Sequence, residues 1–169
     1  LLLVVKVIVK VQQEDFILQN EIDNLKNSCK EIPGAITSFV GYVRDYSNNE
    51  KITSLNIEHY PGMTEKKLIE ISEQASKKWP LLGSLVIHRY GKLNTSDQIV
   101  LAAAASFHRK AAFESSEFIM DFLKTNAPFW KSEKAGQTRS AQNVPKWCPK
   151  CVQNVSKIFP KCDQSVTKM

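Results

Sequence analysis

The chain has 169 residues, 43% hydrophobic and 24% charged, a soluble globular profile that excludes disordered and collagen-like classes. Its 23 Lys and Arg against 17 Asp and Glu leave a formal charge of +6 and a bias toward anionic partners. Like charges come only in pairs such as Lys66-Lys67 and Lys77-Lys78, which argues against a nucleic-acid or lipid-surface binder.

The apolar opening from Leu1 to Val11 is cut by Lys6 and Lys10. It falls short of the roughly 20 apolar residues that span a bilayer, so it reads as a buried strand. No positive leader or small-residue cleavage site flanks it, so the expected location is the cytoplasm, with Cys29, Cys148, Cys151 and Cys162 reduced. Leu18, Ile22, Leu25 and Cys29 share one helical face, predicting a helix over about 14–30. Pro33-Gly34 breaks it, and residues 35–43 predict a central strand ending at Arg44. The polar stretch 45–51 reads as a mobile loop and 52–60 as the antiparallel return strand.

Thr64 is the expected N-cap of a helix whose face carries Leu68, Ile71, Ala75 and Trp79 and which Pro80 stops. Residues 85–90 and 98–106 predict two more strands, joined by a turn around Gly91 and the run Asn94-Thr95-Ser96-Asp97. The second strand holds four consecutive alanines, a pattern that fits strand or helix. From Arg109 to about Asn126, Ala112, Ser116, Ile119 and Leu123 share a face with Phe113 and Met120, predicting an amphipathic helix ended by Pro128. After about Lys134 the composition turns to Gly, Gln, Ser, Asn, Pro and Lys, which sets a domain of 1–134 apart from a weakly ordered tail, 135–169. Alternating strands and helices give an α+β or α/β class.

Three places could carry chemistry. Ser106-Phe107-His108-Arg109 stands where a strand hands over to a helix, so free backbone N–H groups and the positive dipole end would meet a cationic and a titratable side chain. That is a phosphate cradle, although on spacing alone a His108 cap with a solvated Arg109 weighs more. Lys124 and Lys131 flank Pro128-Phe129-Trp130, a rigid aromatic turn that could aim both amines into one pocket. Desolvation and mutual repulsion there would lower an amine's pKa toward acid–base use, and the plain alternative is that both lysines snorkel to solvent. Arg44, at a strand end, suits a phosphate or carboxylate clamp as well as an ordinary surface position. His59, before the Pro61-Gly62 turn, reads as structural. Cys148, Cys151 and Cys162 lack a fourth ligand, so no metal site is expected. The chain has no phosphate-loop glycine pattern, no HExxH and no compelling Ser–His–Asp order.

Longer segments go further. Gly34-Ala35-Ile36-Thr37-Ser38-Phe39-Val40-Gly41-Tyr42-Val43-Arg44 is followed by Glu58-His59-Tyr60-Pro61-Gly62-Met63-Thr64 and Ile87-His88-Arg89-Tyr90-Gly91. Then come Ser106-Phe107-His108-Arg109-Lys110-Ala111-Ala112-Phe113 and the run from Phe118 to Lys131 that contains Lys124-Thr125-Asn126-Ala127-Pro128-Phe129-Trp130. In order and spacing these motifs resemble the large, catalytic subunit family of molybdopterin synthases over about residues 4–134.

The resemblance implies an α+β fold of the α/β hammerhead type, a mixed, mostly antiparallel sheet with packed helices. It implies a homodimer that binds one small sulfur-carrier subunit at each end, making a heterotetramer. The implied activity is a sulfurtransferase of molybdenum cofactor biosynthesis. The carrier's C-terminal Gly-Gly thiocarboxylate enters a pocket and delivers sulfur to cyclic pyranopterin monophosphate, with no cofactor or metal. Lys124 is implied as the catalytic acid–base group, with Lys131 assisting and also binding substrate. The implied substrate-binding set adds Tyr42, Val43, Arg44, His108, Arg109, Ser132 and Glu133, with Phe39 and Met120 as apolar walls, some of them from the partner protomer. The sequence departs from the family in lacking a Trp-Val strand between Ala135 and Cys148, where Arg139 is the one candidate site residue. A non-catalytic protein of the same fold that holds the carrier or a phosphorylated pterin is the competing reading.

Overall fold

Alternating Val, Ile and Lys build β1 (Lys6–Gln12), the first strand of the computed structural model, which describes residues 5–47 and 50–135. These residues lie in one unit, Leu1–Gly136. The elements that follow are α1 (Leu18–Ser28), β2 (Ala35–Tyr42), β3 (Tyr46–Ser47), β4 (Glu50–His59), α2 (Met63–Lys78), β5 (Leu81–Arg89), β6 (Gly91–Asn94), β7 (Gln98–Ser106), α3 (Arg109–Thr125) and β8 (Phe129–Ala135). Among the described residues no helix is long and apolar enough to cross a membrane.

A four-stranded sheet has the order β1-β5-β7-β2, in which only β1 and β5 run parallel. β5 and β7 are buried throughout apart from Gln98, because helices cover both faces. On one face α1 packs Leu25 against Leu85, Ile87, Leu101, Ala103 and Ala105. On the other, Leu68 and Ala75 of α2 and Ile119 of α3 meet Val86, Ala102 and Ala104. The ambiguous alanine run is thus a strand whose side chains alternate between two helix layers, and only small side chains let both layers approach. A second sheet joins β6 and β8 to opposite sides of β4, with β3 folded onto the start of β4. Val43, Leu55, Ile57, Leu93, Ile99 and Val100 form the core between the two sheets.

Several expectations are corrected. The strand ending near Arg44 is the edge of its sheet, not its centre, and 52–60 does not return along it but enters the second sheet. The polar stretch expected as a mobile loop pairs Tyr46 with Lys51 and Ser47 with Glu50 as a hairpin. The N-cap of α2 is Gly62, at φ 80, whose N–H donates to the Glu65 carboxylate at 2.7 Å, while the Thr64 hydroxyl donates to the Tyr60 carbonyl. Part of the turn around Gly91 is a short strand, and the aromatic turn at Phe129-Trp130 opens β8. Phe113 lies outside the core, 62% exposed. The tail expected over 135–169, with Arg139, Cys148, Cys151 and Cys162, lies outside the described residues apart from Ala135, the last residue of β8.

Candidate active site

A cavity of about 580 Å³ opens where the β2 end of the first sheet, the last turns of α3 and the second sheet meet. Its entrance is set by hydrogen bonds at the end of β2. The register of β2 against β7 shifts between Gly41 and Tyr42. Val43 is then bonded both ways to the β6–β7 turn, donating to the Asp97 carbonyl and accepting from the Ser96 N–H, each at 2.9 Å. That turn is closed by the Asp97 carboxylate, which accepts the Asn94 N–H at 2.7 Å, and Ser96 adopts φ 73. Arg44 therefore leaves a fixed backbone with its guanidinium exposed at the cavity. Gly41 is needed beside it, since a Cβ there would lie 2.7 Å from the Val100 Cγ1.

The two lysines arrive from a second direction. Lys124 stands in the last turn of α3, where unpaired carbonyls favour a cation. The helix stops when the Asn126 N–H donates to the Phe122 carbonyl at 2.8 Å, and the Phe129 N–H donates to the Ala127 carbonyl at 2.8 Å across Pro128. β8 then runs antiparallel to β4, with Lys131 opposite Ile57. Side chains alternate along a strand, so Phe129 and Lys131 face the same side and Trp130, 58% exposed, the other. Both lysines line the cavity and both are exposed, so the desolvation expected of them is absent from the single chain.

The cavity collects Phe39, Tyr42, Val43, Arg44, Met120, Lys124 and Lys131. Among the described residues none of those lining it is acidic, and three cations face it, a field suited to an anionic ligand. His108 and Arg109 are not among them. They begin α3, and from Arg109 to Lys124 the helix rises about 22 Å at 1.5 Å per residue. Both are exposed: His108 occupies the N-cap position without a side-chain capping bond, and Arg109 is the solvated first residue of the helix. Ser132 and Glu133 follow Lys131 on β8, opposite Asn56 and Leu55.

His88 is the titratable lining residue that sequence reasoning missed. It is 4% exposed, on the same face of β5 as Val86. Its Nδ1 lies 2.9 Å from the Arg89 carbonyl oxygen, which only accepts, so Nδ1 carries the proton. Burial pushes its pKa down to about 4 despite that hydrogen bond, and the nearby charges of Lys131 and His59 act in the same direction as burial. The ring stacks on Phe129, centroids 3.6 Å apart and planes at 15°. The Ile87-His88-Arg89 motif was visible in the sequence, but a lone His in an apolar strand gives no sign of which face it takes.

His59 packs its ring 4.4 Å from that of Tyr90, in keeping with a structural role. The Cys29 thiol donates to the Leu25 carbonyl at 3.2 Å, and burial raises its pKa, which lowers its reactivity. Among the described residues no three His, Cys, Asp or Glu side chains gather as a metal site.

The model of the family described as "MoaE protein" matches residues 11–126. The chain is 50% identical over 129 residues to the "Molybdopterin synthase catalytic subunit" of Ralstonia nicotianae, covering 76% of this chain and 73% of that one. It is 50% identical over 125 residues to the protein of the same name from Vibrio cholerae, covering 74% and 82%. Among solved structures it is similar to "Molybdopterin cofactor biosynthesis protein E" from Burkholderia multivorans, with TM-score 0.69 and 43% identity over 81% of this chain and 92% of that one.

Proposed function

Because the chain belongs to the MoaE protein family, we propose that it is the catalytic subunit of a molybdopterin synthase. In this reading it passes sulfur from the thiocarboxylated Gly-Gly end of a small carrier subunit to cyclic pyranopterin monophosphate, building the dithiolene. The observation that carries the reading is the single cavity in which Arg44, Lys124 and Lys131 converge. The domain is 1–134, with 135–169 as a divergent tail. We place it in the cytoplasm, where reducing conditions preserve a thioacid.

The residues divide the work by chemistry. A thiocarboxylate tail is anionic and extended, so it enters a cationic cavity readily. Once the sulfur is bonded to the pterin as a thioester, water attacks the acyl carbon to make a tetrahedral oxyanion, which the Lys124 ammonium stabilises while supplying or accepting the proton that moves; collapse breaks the C–S bond, leaving the sulfur on the pterin and a carboxylate on the carrier. Lys131 adds a second positive charge beside it. The planar fork of Arg44 binds the substrate phosphate, the backbone at Tyr42 and Val43 shapes the entrance, and Phe39 and Met120 hold the pterin between apolar walls. Ser132 and Glu133, next along β8, complete the substrate-binding set. His108 and Arg109 act on the cavity of a second copy, completing it in a homodimer that carries one small subunit at each end.

The test mixes the purified chain with thiocarboxylated carrier and cyclic pyranopterin monophosphate and measures dithiolene product for the wild type and for Lys124→Ala. Product that disappears in a folded Lys124→Ala variant supports the reading. A wild type that binds carrier and makes no product would instead make this a binding protein of the same fold.

A further inference from the structure

Among the cavity's lining residues, one titratable side chain is buried and has no part in the reaction described above: His88. The geometry points to His88 as a positioning residue for Lys131, acting through the Phe129 ring on which its imidazole lies. The inference rests on the synthase reading, because it assigns Lys131 a task that position can improve.

The argument starts from how β8 is held. Among the described residues its only strand neighbour is β4, so hydrogen bonds fix it along one side. Its placement toward the first sheet depends on side chains, and among its described residues Phe129 is the one that packs against both the α2–α3 core and the core between the sheets. The Phe129 ring meets His88 at 3.6 Å in near-parallel stacking and His59 only at 6.4 Å. Lys131 is two residues on and faces the same way. The stack therefore ties the strand that carries the amine to β5, the most buried strand of the other sheet.

The imidazole suits this task because it is held from behind. Its Nδ1–H is committed to the Arg89 carbonyl. Arg89 is anchored in turn by donating to the Gln13 and Gln98 carbonyls at 3.1 and 2.9 Å and to the Asp15 carboxylate at 3.2 Å. The charged groups that act on the ring, Lys131 and His59, both oppose its protonation, so it presents an uncharged aromatic face and does not compete with Lys131 for an anion. Removing the ring frees Phe129 to change rotamer and β8 to shift, and displacements of about 1 Å near reacting groups cost on the order of 100-fold in rate.

The experiment uses the full chain with its carrier subunit. His88→Ala and Phe129→Leu should each lower kcat about 10- to 100-fold with KM within about twofold of wild type, while His88→Phe, which keeps a stacked ring, should stay within about threefold. Because both act through one contact, the double variant should be no slower than His88→Ala alone. A second readout needs no turnover: competitive acetylation of Lys131 against Lys110, whose side chain is 84% exposed, read by mass spectrometry. The ratio should change at least about twofold in His88→Ala and Phe129→Leu and not in His88→Phe. If His88→Ala does not fold, Phe129→Leu reads the same contact from its other side. A folded His88→Ala with wild-type kcat, a His88→Phe as slow as His88→Ala, or unchanged Lys131 labelling overturns the inference. A wild type that makes no product but shows the expected labelling overturns the synthase reading and leaves the positioning role standing.

Discussion

Lys124 and Lys131 share a cavity but differ in what holds them, one by a helix terminus and the other by a strand pairing, and substitution should separate their roles. Lys124→Ala is expected to lower turnover about 100- to 1000-fold, the usual contribution of a positioned proton-transfer group, with carrier affinity little changed. Lys131→Ala should cost less, about 10-fold, if it supplies charge alone. Single-turnover sulfur transfer at saturating carrier measures both. His88 makes a separate prediction about stability. Its folded-state pKa is depressed to about 4, so between pH 6.5 and 4 the unfolded chain binds the extra proton. The stabilisation from keeping this ring neutral is complete above pH 6.5, falls as the pH drops, and is gone below about 4, amounting to roughly 3 kcal/mol. Urea melts at pH 7, 5.5 and 4 should show that loss in the wild type and a flatter limb in His88→Phe. An equal slope in both would assign the acid limb to other groups.

At the scale of elements, the helices and β7 were legible because their signals are local. The 3.6-residue periodicity of Leu68, Ile71 and Ala75 and the stop at Pro80 need no tertiary knowledge, and residues 98–106 matched β7 end to end. β8 was missed because Phe129-Trp130-Lys131 after a proline looks like a turn until β4 supplies a partner. The edge position of β2 was missed because strand order is a long-range property that alternation does not encode. Candidate site residues were legible in proportion: Arg44, Lys124 and Lys131 stand at element ends marked by breakers, whereas His88 is known only by the face it takes. The strand-to-helix junction offers a further test. A Cβ at Gly34 would lie 2.3 Å from the Phe107 carbonyl oxygen, a backbone atom that cannot rotate away. Gly34→Ala should therefore destabilise by about 1–3 kcal/mol, seen as a lower thermal midpoint, and an unchanged midpoint would mean that β2 shifts freely at its start.

For the whole molecule, the distance along α3 separates His108 and Arg109 from the cavity of their own chain. If His108 and Arg109 serve a neighbouring copy, Lys124→Ala and Arg109→Ala chains, each inactive alone, should recover roughly a quarter of wild-type activity when co-assembled, since half the dimers are mixed and each of those has one intact site. No recovery would mean that Arg109 serves the cavity of its own chain. The +6 charge and the cations at the cavity further predict that carrier binding slows and weakens between about 50 and 500 mM salt, measurable by surface plasmon resonance.

The segment from Lys124 to Lys131 holds one consequence for how such a protein changes over time. The spacing of the two amines is set by a helix end, a carbonyl contact across Pro128 and the first residues of β8, all within one short stretch of chain. It works as a ruler written in consecutive codons. A single-residue insertion or deletion between Asn126 and Pro128 that slips β8 by one residue on β4 would turn Lys131 to the opposite face of its strand, so drift in length at this connection bears directly on the site.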